Sequence, residues 1–444
     1  MKILILRIGL LTVYFLFTCY TYGQDIGLIK VALEGDVNAI LKLINTGANV
    51  NESTNDGTTA LMAASYKGYL EAVNVLLSNG AKINASRNTG ETALYFASEN
   101  GHLKVVHVLL QNGADVDVEN SNGATALMAA SYKGYPEVVS ELINHGANVN
   151  STLNDGRTAL IAASMGGGLS PVTFVGEITK EDSSLNIKAT LDNIPPPESN
   201  RGRFLRIAEL LLAAGANPNA NLSNTTPLYE AVSNEFYNMV VLLLSKGAEP
   251  NQINNELEGD TPIHEAARST LPEIVQILLE TGAKTNVRNN RGNTPLFLVC
   301  MQQMSGRMLS GRYNDQIEVA QLLLNYGANV NDTTTYGATP LIMSVDKHPT
   351  QTIEGNVTEL IGLLLSNGAN PNLAMNMNAI SDQRGLTALH IAAQQGFTDA
   401  ARILLENGAL VNMRTISGFT ALDYALANRH DQIVNILKQY GAYK

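Results

Sequence analysis

The sequence repeats itself, and this periodicity limits the fold more than any other feature. A Gly-Ala pair follows an apolar run eleven times, at Gly47, Gly80, Gly113, Gly146, Gly215, Gly247, Gly282, Gly327, Gly368, Gly408 and Gly441. The interval is constant from Gly47 through Gly146, returns between Gly408 and Gly441, and is longest between Gly146 and Gly215. A second marker, Thr-(Ala/Pro)-(Leu/Ile), begins at Thr59, Thr92, Thr125, Thr158, Thr226, Thr261, Thr294, Thr339, Thr387 and Thr420. In seven of the ten cases the step from this Thr to its glycine is the same as from Thr59 to Gly80. A fixed period of roughly 20–50 residues is the signature of an array, in which each repeat buries its apolar face only against its neighbours.

One repeat can be read residue by residue. Thr59 can cap a short helix whose Ala63 and Ala64 let a neighbouring helix approach closely. Gly68 ends that helix. A second helix follows, with Val73, Leu76 and Leu77 on its buried stripe. Gly80 can take the left-handed conformation at its C-terminus. The Asn-rich stretch up to the next Thr reads as a turn or hairpin arm. Composition agrees with many short elements closed in the same way. The 444 residues include 37 Gly and 47 Asn, the residues that best tolerate positive φ, while Trp is absent and charged residues are 16%. With 45% hydrophobic residues, disorder over most of the chain is excluded.

Thr261-Pro262-Ile263-His264-Glu265-Ala266-Ala267 and Thr387-Ala388-Leu389-His390-Ile391-Ala392-Ala393 make the chain resemble the ankyrin repeat family over residues 25–444. The resemblance implies an all-α solenoid of about eleven helix-turn-helix units with projecting hairpin fingers. Most units replace the signature histidine, with Met62, Tyr95, Met128, Ile161, Tyr229, Phe297, Ile342 or Asp423. In the two units that keep it, His264 and His390 occupy a structural, hydrogen-bonding slot. The first unit lacks the Thr marker; the usual step counted back from Gly47 starts its helix at Ile26, with Asp25 as cap. The expected organisation is a signal peptide at 1–23, a capping unit at 25–51, regular units at 52–166, an insertion at 167–203 and the remaining units at 204–444.

The N-terminus reads as a targeting segment. Lys2 and Arg7 precede an apolar or small run, Ile8 to Thr18, a length that suits a signal peptide core better than a membrane span of about 20 residues. Small residues at Thr21 and Gly23 place cleavage between Gly23 and Gln24. The alternatives are a lipoprotein anchored at Cys19 and an uncleaved anchor. After cleavage no segment approaches a membrane span, and Cys300 is the one remaining thiol, so no intramolecular disulfide can form. Loss of Lys2 and Arg7 takes the net charge from −11 to −13, which disfavours nonspecific nucleic-acid binding.

No catalytic, metal or cofactor constellation is legible. The seven histidines form no ligand pair, and Gly166-Gly167-Gly168 lacks the Lys of a phosphate loop. Seven Asn-x-Ser/Thr sequons (Asn51, Asn84, Asn150, Asn221, Asn224, Asn331 and Asn356) read as turn chemistry rather than glycosylation. The chain is therefore expected to be non-enzymatic, without cofactors, and monomeric.

The period breaks inside the fifth unit, where the step from Thr158 to Gly215 is more than twice the usual one. Val172–Val175 and Leu185–Leu191 look strand-like, Pro195-Pro196-Pro197 and Arg201-Gly202-Arg203 close the stretch, and a β-hairpin is expected there. Shorter insertions fall around Met304–Asn314, His348–Asn356 and Met375–Ala379.

The family resemblance implies binding by finger tips and by the exposed ends of the first helices. The helix-end pairs are Tyr66/Lys67, Glu99/Asn100, Tyr132/Lys133, Ser233/Asn234, Arg268/Ser269 and Gln394/Gln395, and the finger positions include Asn55, Asp56, Asn88, Glu91, Asn122 and Arg157. Thr59–Tyr69 and Thr125–Tyr135 are identical and two units apart. Tyr66, Tyr69, Tyr132 and Tyr135 are therefore expected to face solvent beside Lys67 and Lys133, and Tyr is a favoured interface residue. A duplication without surface selection is the plain alternative. The expected function is an exported, periplasmic or secreted scaffold that binds a protein partner. The alternative is a secreted effector or immunity-type factor that modulates an enzyme.

Overall fold

The Thr markers start helices because their hydroxyls satisfy backbone N–H groups that the first turn leaves open. The Thr59 Oγ1 accepts from the Met62 N–H at 3.3 Å. Thr92, Thr125, Thr158, Thr226, Thr294 and Thr339 repeat the bond to the third helical residue. A computed structural model describes residues 27–166, 199–221, 225–254, 259–301, 313–346, 354–376, 378–379 and 383–443. Twenty-two helices and no strand occur among the described residues; the extended contacts are isolated bridges such as Ser53–Thr59 and Ser86–Thr92.

The chain divides into two modules. The N-terminal module holds α1 (Gly27–Glu34), α2 (Val37–Asn45), α3 (Ala60–Lys67), α4 (Leu70–Ser78), α5 (Ala93–Glu99), α6 (Leu103–Gln111), α7 (Ala126–Lys133), α8 (Pro136–Asn144), α9 (Ala159–Ser164) and α10 (Asn200–Ala213). First helices stack on first helices, α1 on α3, α5, α7 and α9 in turn. Second helices do the same through α2, α4, α6, α8 and α10. The inner layer is close because it is built from small residues: Ala64, Ala97, Ala130 and Ala163 are fully buried at equivalent positions. Val73, Leu76, Val106, Leu109, Val139 and Leu142 fill the space beneath, also fully buried. Each such aliphatic side chain contributes about 1.5–3 kcal/mol on burial.

The C-terminal module holds α11 (Pro227–Ser233), α12 (Tyr237–Ser245), α13 (Pro262–Arg268), α14 (Pro272–Glu280), α15 (Pro295–Met301), α16 (Tyr313–Asn325), α17 (Pro340–Val345), α18 (Glu354–Ser366), α19 (Ala388–Gln395), α20 (Thr398–Glu406), α21 (Ala421–Ala427) and α22 (Asp431–Gln439). The same alternation of contacts runs through it. At His264 and His390 the cap is reciprocal. The Thr261 N–H donates to His264 Nδ1 at 3.1 Å, so Nδ1 is the bare nitrogen, and Nε2–H donates across to the Asn293 carbonyl at 3.1 Å. His390 does the same with Thr387 and the Met413 carbonyl. Burial holds both rings below the usual histidine value, and hence neutral. Cys300 is fully buried in α15.

Asparagine forms a ladder that joins successive helix pairs. Asn51 Nδ2 donates to the Gly80 carbonyl at 3.0 Å, and its Oδ1 accepts from the Lys82 N–H at 2.7 Å. Asn150, Asn251, Asn286, Asn331, Asn372 and Asn412 make the same two bonds to the next Gly and to the residue two beyond it. One amide thus satisfies a donor and an acceptor at the C-terminal end of the adjoining helix, through two separate atoms of one planar group. Asn51, Asn150 and Asn331 head sequons, and their side chains are already committed to this ladder.

The expected β-hairpin and the centres of the three shorter insertions lie outside the described residues. The boundary expected at Arg203 moves, because Ser199 caps α10 through the Gly202 N–H at 2.9 Å and the helix begins at Asn200. Arg201-Gly202-Arg203 is therefore the first turn of a helix rather than the end of a loop.

Candidate functional site

Fingers carry the first layer of the site. Each is a tight hairpin closed by backbone bonds, as in Arg87 N–H to Glu91 O (3.0 Å) and Gly90 N–H to Arg87 O (2.8 Å). Neighbouring fingers are tied together, with Asn88 N–H donating to Asp56 O and Asn154 N–H to Asn122 O, both at 2.9 Å. Asn88 Nδ2 also donates to Asn55 O at 3.0 Å. Asp56 pairs with Arg87 at 2.5 Å. Burial pushes the Asp56 carboxyl up, but hydrogen bonds from Thr54 and Thr58 and the Arg87 charge outweigh it and hold its pKa at about 2. Three of the expected recognition residues, Asn55, Asp56 and Asn88, thus join one finger to the next.

The four expected tyrosines do not form one patch. Tyr69 and Tyr135 each follow the glycine that ends a first helix and lie on the preceding repeat. A Cβ on Gly35 would come within 2.8 Å of the Tyr69 ring, and one on Gly101 within 2.7 Å of the Tyr135 ring. His102 sits on Gly68 in the same way, with Nε2 2.9 Å from the Tyr66 carbonyl, and His430 sits on Gly396. A ring at this position is also a seat between repeats, with Tyr69 still 39% exposed and Tyr135 half-buried.

Tyr66 and Tyr132 have a different environment. Both are half-buried and line a cleft of about 450 Å3 in the N-terminal module, together with Glu91, Tyr95, Glu99 and Lys133. Arg87, Phe96, Asn120, Met128, Asp155, Arg157 and Met165 complete most of the wall. Lys67 is exposed, with its ammonium 5.3 Å from the Tyr66 ring centre. Phe96 meets Tyr66 and Tyr95 edge-on at 6.2 and 6.0 Å. Burial, helped by the Glu99 charge, raises the Tyr66 and Tyr95 phenols above the usual range, so both stay protonated donors. Arg157 pairs with Asp155 at 2.5 Å, and Lys133 lies 3.9 Å from Glu99.

Arg87, Phe96, Asn120, Asp155 and Met165 carry no motif in the sequence, and Tyr95 stands there only as a replacement for the signature histidine. The signal was present: Glu91, Tyr95 and Glu99 are spaced by four, and each stands one repeat interval from its counterparts on either side.

Of the other helix ends, Arg268 pairs with Asp260 and, at 2.6 Å, with Glu265, while the Tyr229 hydroxyl donates to Glu265 at 3.1 Å. The Gln394 carbonyl meets His430 Nε2 at 3.1 Å. The C-terminal module has a shallower depression of about 350 Å3 lined by Asn314, Ile317, Glu318, Gln321, Leu322 and Glu359, away from the fingers. Among the described residues no group of three His, Cys, Asp or Glu could hold a metal ion, and no helix is long and apolar enough to cross a membrane.

A family model of ankyrin repeats in three copies matches residues 28–120, 112–177 and 351–444, more than half of the chain. A single ankyrin repeat model matches 223–255, 258–290 and 291–335. The chain belongs to the ankyrin-repeat family. Individual relatives align over short stretches. The chain is 36% identical over 63 residues to potassium channel AKT2/3 of Arabidopsis thaliana, covering 14% of this chain and 8% of the channel. It is 45% identical over 56 residues to an ankyrin repeat protein of Rickettsia bellii (12% and 23%). It is 38% identical over 63 residues to ankyrin repeat domain-containing protein 13B of Mus musculus (14% and 10%). The chain spans less than a quarter of the length of each of these relatives. The cleft is lined by finger residues such as Arg87, Asn122 and Arg157 and by first-helix residues such as Tyr66, Glu99 and Tyr132.

Proposed function

We propose that this ankyrin-repeat protein is an exported, non-enzymatic scaffold of eleven repeats that takes a protein partner in the cleft of its N-terminal module. One observation carries the reading. Three successive repeats contribute Tyr66, Glu99 and Tyr132 to one concavity that also holds Tyr95 and Phe96. Aromatic side chains with polar tips, gathered in a partly dehydrated recess, are the anchors that dominate protein–protein interfaces. Export rests on the leader, Lys2 through Gly23, and mass spectrometry of the mature N-terminus reads it directly. A start at Gln24 supports it, a lipidated Cys19 replaces free secretion by anchoring, and an intact Met1 overturns both.

The binding reading is tested by capture on the immobilised chain, comparing wild type with Tyr66→Ala/Tyr132→Ala. A partner recovered by the wild type and lost by the double variant supports the cleft. Equal recovery by both assigns binding to another surface. Modulation of an enzyme is the conclusion only where the captured partner is itself an enzyme whose turnover changes on binding.

A further inference from the structure

We propose that the cleft is a receptor for a basic side chain, arginine or lysine, presented by the protein partner; this rests on the reading that the cleft takes a partner at all. The argument begins with the repeat register. Three positions spaced by four recur in each repeat on the face that meets the cleft side. The register positions are Thr58, Met62 and Tyr66, then Glu91, Tyr95 and Glu99, then Ala124, Met128 and Tyr132; all but Thr58 and Met62, which are buried, line the cleft. The outer repeats carry the duplicated segment, whose one charged residue in each copy is a lysine (Lys67, Lys133), and at these register positions the middle repeat alone carries carboxylates. Glu99 is thereby flanked by Tyr66 and Tyr132, with Tyr95 and then Glu91 below it on the same side.

The balance of ion pairs favours a cation over an anion. Arg87 is held by Asp56 and Arg157 by Asp155, both at 2.5 Å. Lys133 approaches Glu99 only to 3.9 Å. Glu91 has 7% exposure and hydrogen bonds from neutral groups, the Thr89 hydroxyl and, at 3.3 Å, the Asn120 amide. Among the described residues it makes no ion pair. The cleft therefore holds one more carboxylate than it pairs. Burial, with the Glu91 charge, pushes the Glu99 carboxyl up against the opposing pull of Lys133, and an incoming guanidinium or ammonium relieves that repulsion.

The ring faces act in the same direction. A cation within about 6 Å of an aromatic centre is attracted by the ring quadrupole. The protein's own cations already use these rings: Lys67 lies 5.3 Å from the Tyr66 centre and Arg87 lies 5.9 Å from that of Phe96. Lys133 is the internal competitor for Glu99, and its removal distinguishes a basic guest from an acidic one.

The probe is a phage-displayed random heptapeptide library, selected on the full chain and counter-selected on Tyr66→Ala/Tyr132→Ala. Enriched peptides are then resynthesised and titrated. The expected result is a shared Arg or Lys whose replacement by citrulline or Ala loses at least about tenfold in affinity. Glu99→Gln, isosteric and at a half-buried site, is expected to lose about as much, while Lys133→Met binds equally or more tightly. Peptides that depend on the cleft but carry an acidic or uncharged anchor, or that lose affinity in Lys133→Met and keep it in Glu99→Gln, overturn the proposal and leave the cleft as a partner site. A selection that yields no peptide dependent on the cleft overturns the partner reading itself. Far-UV circular dichroism melts of each variant show whether it is folded, and Lys133→Met alone decides the sign of the charge if Glu99→Gln is not.

Discussion

Replacing Asn331 by Ala tests whether the asparagine ladder couples neighbouring helix pairs. Its Nδ2 donates to the Gly368 carbonyl at 2.9 Å and its Oδ1 accepts from the Asn370 N–H at 2.7 Å. Both bonds are at the surface, so water can replace the lost partner and no buried group is stranded. Each bond is then worth its net value, about 0.5–1.5 kcal/mol, and Asn331→Ala should cost about 1–3 kcal/mol. Asn331→Asp keeps the acceptor and loses the donor, and should cost about half of that; a natural Asp already occupies this rung at Asp117, accepting from the Asn148 N–H at 2.9 Å. In an array, stability is a sum of repeat terms and nearest-neighbour terms, and the ladder belongs to the second kind. Urea unfolding followed by far-UV circular dichroism gives the energies, and hydrogen exchange at Gly368, Ala369 and Asn370 localises them. If both variants stay within about 0.3 kcal/mol of wild type, well below the net value of one bond, or if Asp is as damaging as Ala, the two-bond account fails.

Gly90→Ala should destabilise by more than the roughly 1–2 kcal/mol of a left-handed alanine, because φ is +92° and the added Cβ meets Asn120 Cα at 2.6 Å; thermal melts check it, against Gly80→Ala, where φ is +85° but nothing lies within 4 Å. Stability should depend on His264 and His390. Their folded pKa values are depressed, mainly by burial, so the unfolded chain binds more protons below the ordinary value of 6.5. Stability is then full above pH 6.5 and falls as the pH drops toward the depressed values; urea midpoints at pH 8, 6 and 5 should show the fall, and His264→Gln/His390→Gln should flatten it. Cys300, fully buried, should react with a thiol reagent only as fast as the fold opens, and a fast stoichiometric reaction in native buffer would contradict its placement in α15.

Much of the fold was legible because repetition averages out local ambiguity. Thr59 alone is a weak cap signal, but ten such threonines in one register leave little freedom, and the structure uses all ten with the same backbone or His-mediated bond. Apolar positions such as Val73, Leu76, Val106 and Leu109 were readable from spacing for the same reason. The site was harder. Tyr66 and Tyr69 sit close together in the same duplicated segment, and both read as exposed aromatics. One lines the cleft and the other rests on Gly35, because Gly68 turns the chain between them in the left-handed conformation. Tyr95 stands in the signature-histidine slot, and its place in the cleft follows only once the flanking helices are stacked beside it. The asparagine excess reads as turn chemistry in the sequence, whereas its larger use is a bond to the following repeat, far away in sequence.

Sequence by itself determined the helix pairs, their caps and their order, because those follow from interactions within one period: hydroxyl to N–H, glycine at a helix end, and an aliphatic stripe at helical spacing. Tertiary structure alone decided which side chains meet across the period. Glu99 gains Tyr66 and Lys133 as neighbours only through the stacking of three repeats, and the charge it carries depends on how deeply that stacking buries it. Stacking joins residues at least a full period apart, and no single period contains the information that Glu99, between two identical tyrosine-bearing neighbours, is where they differ from the repeat they enclose.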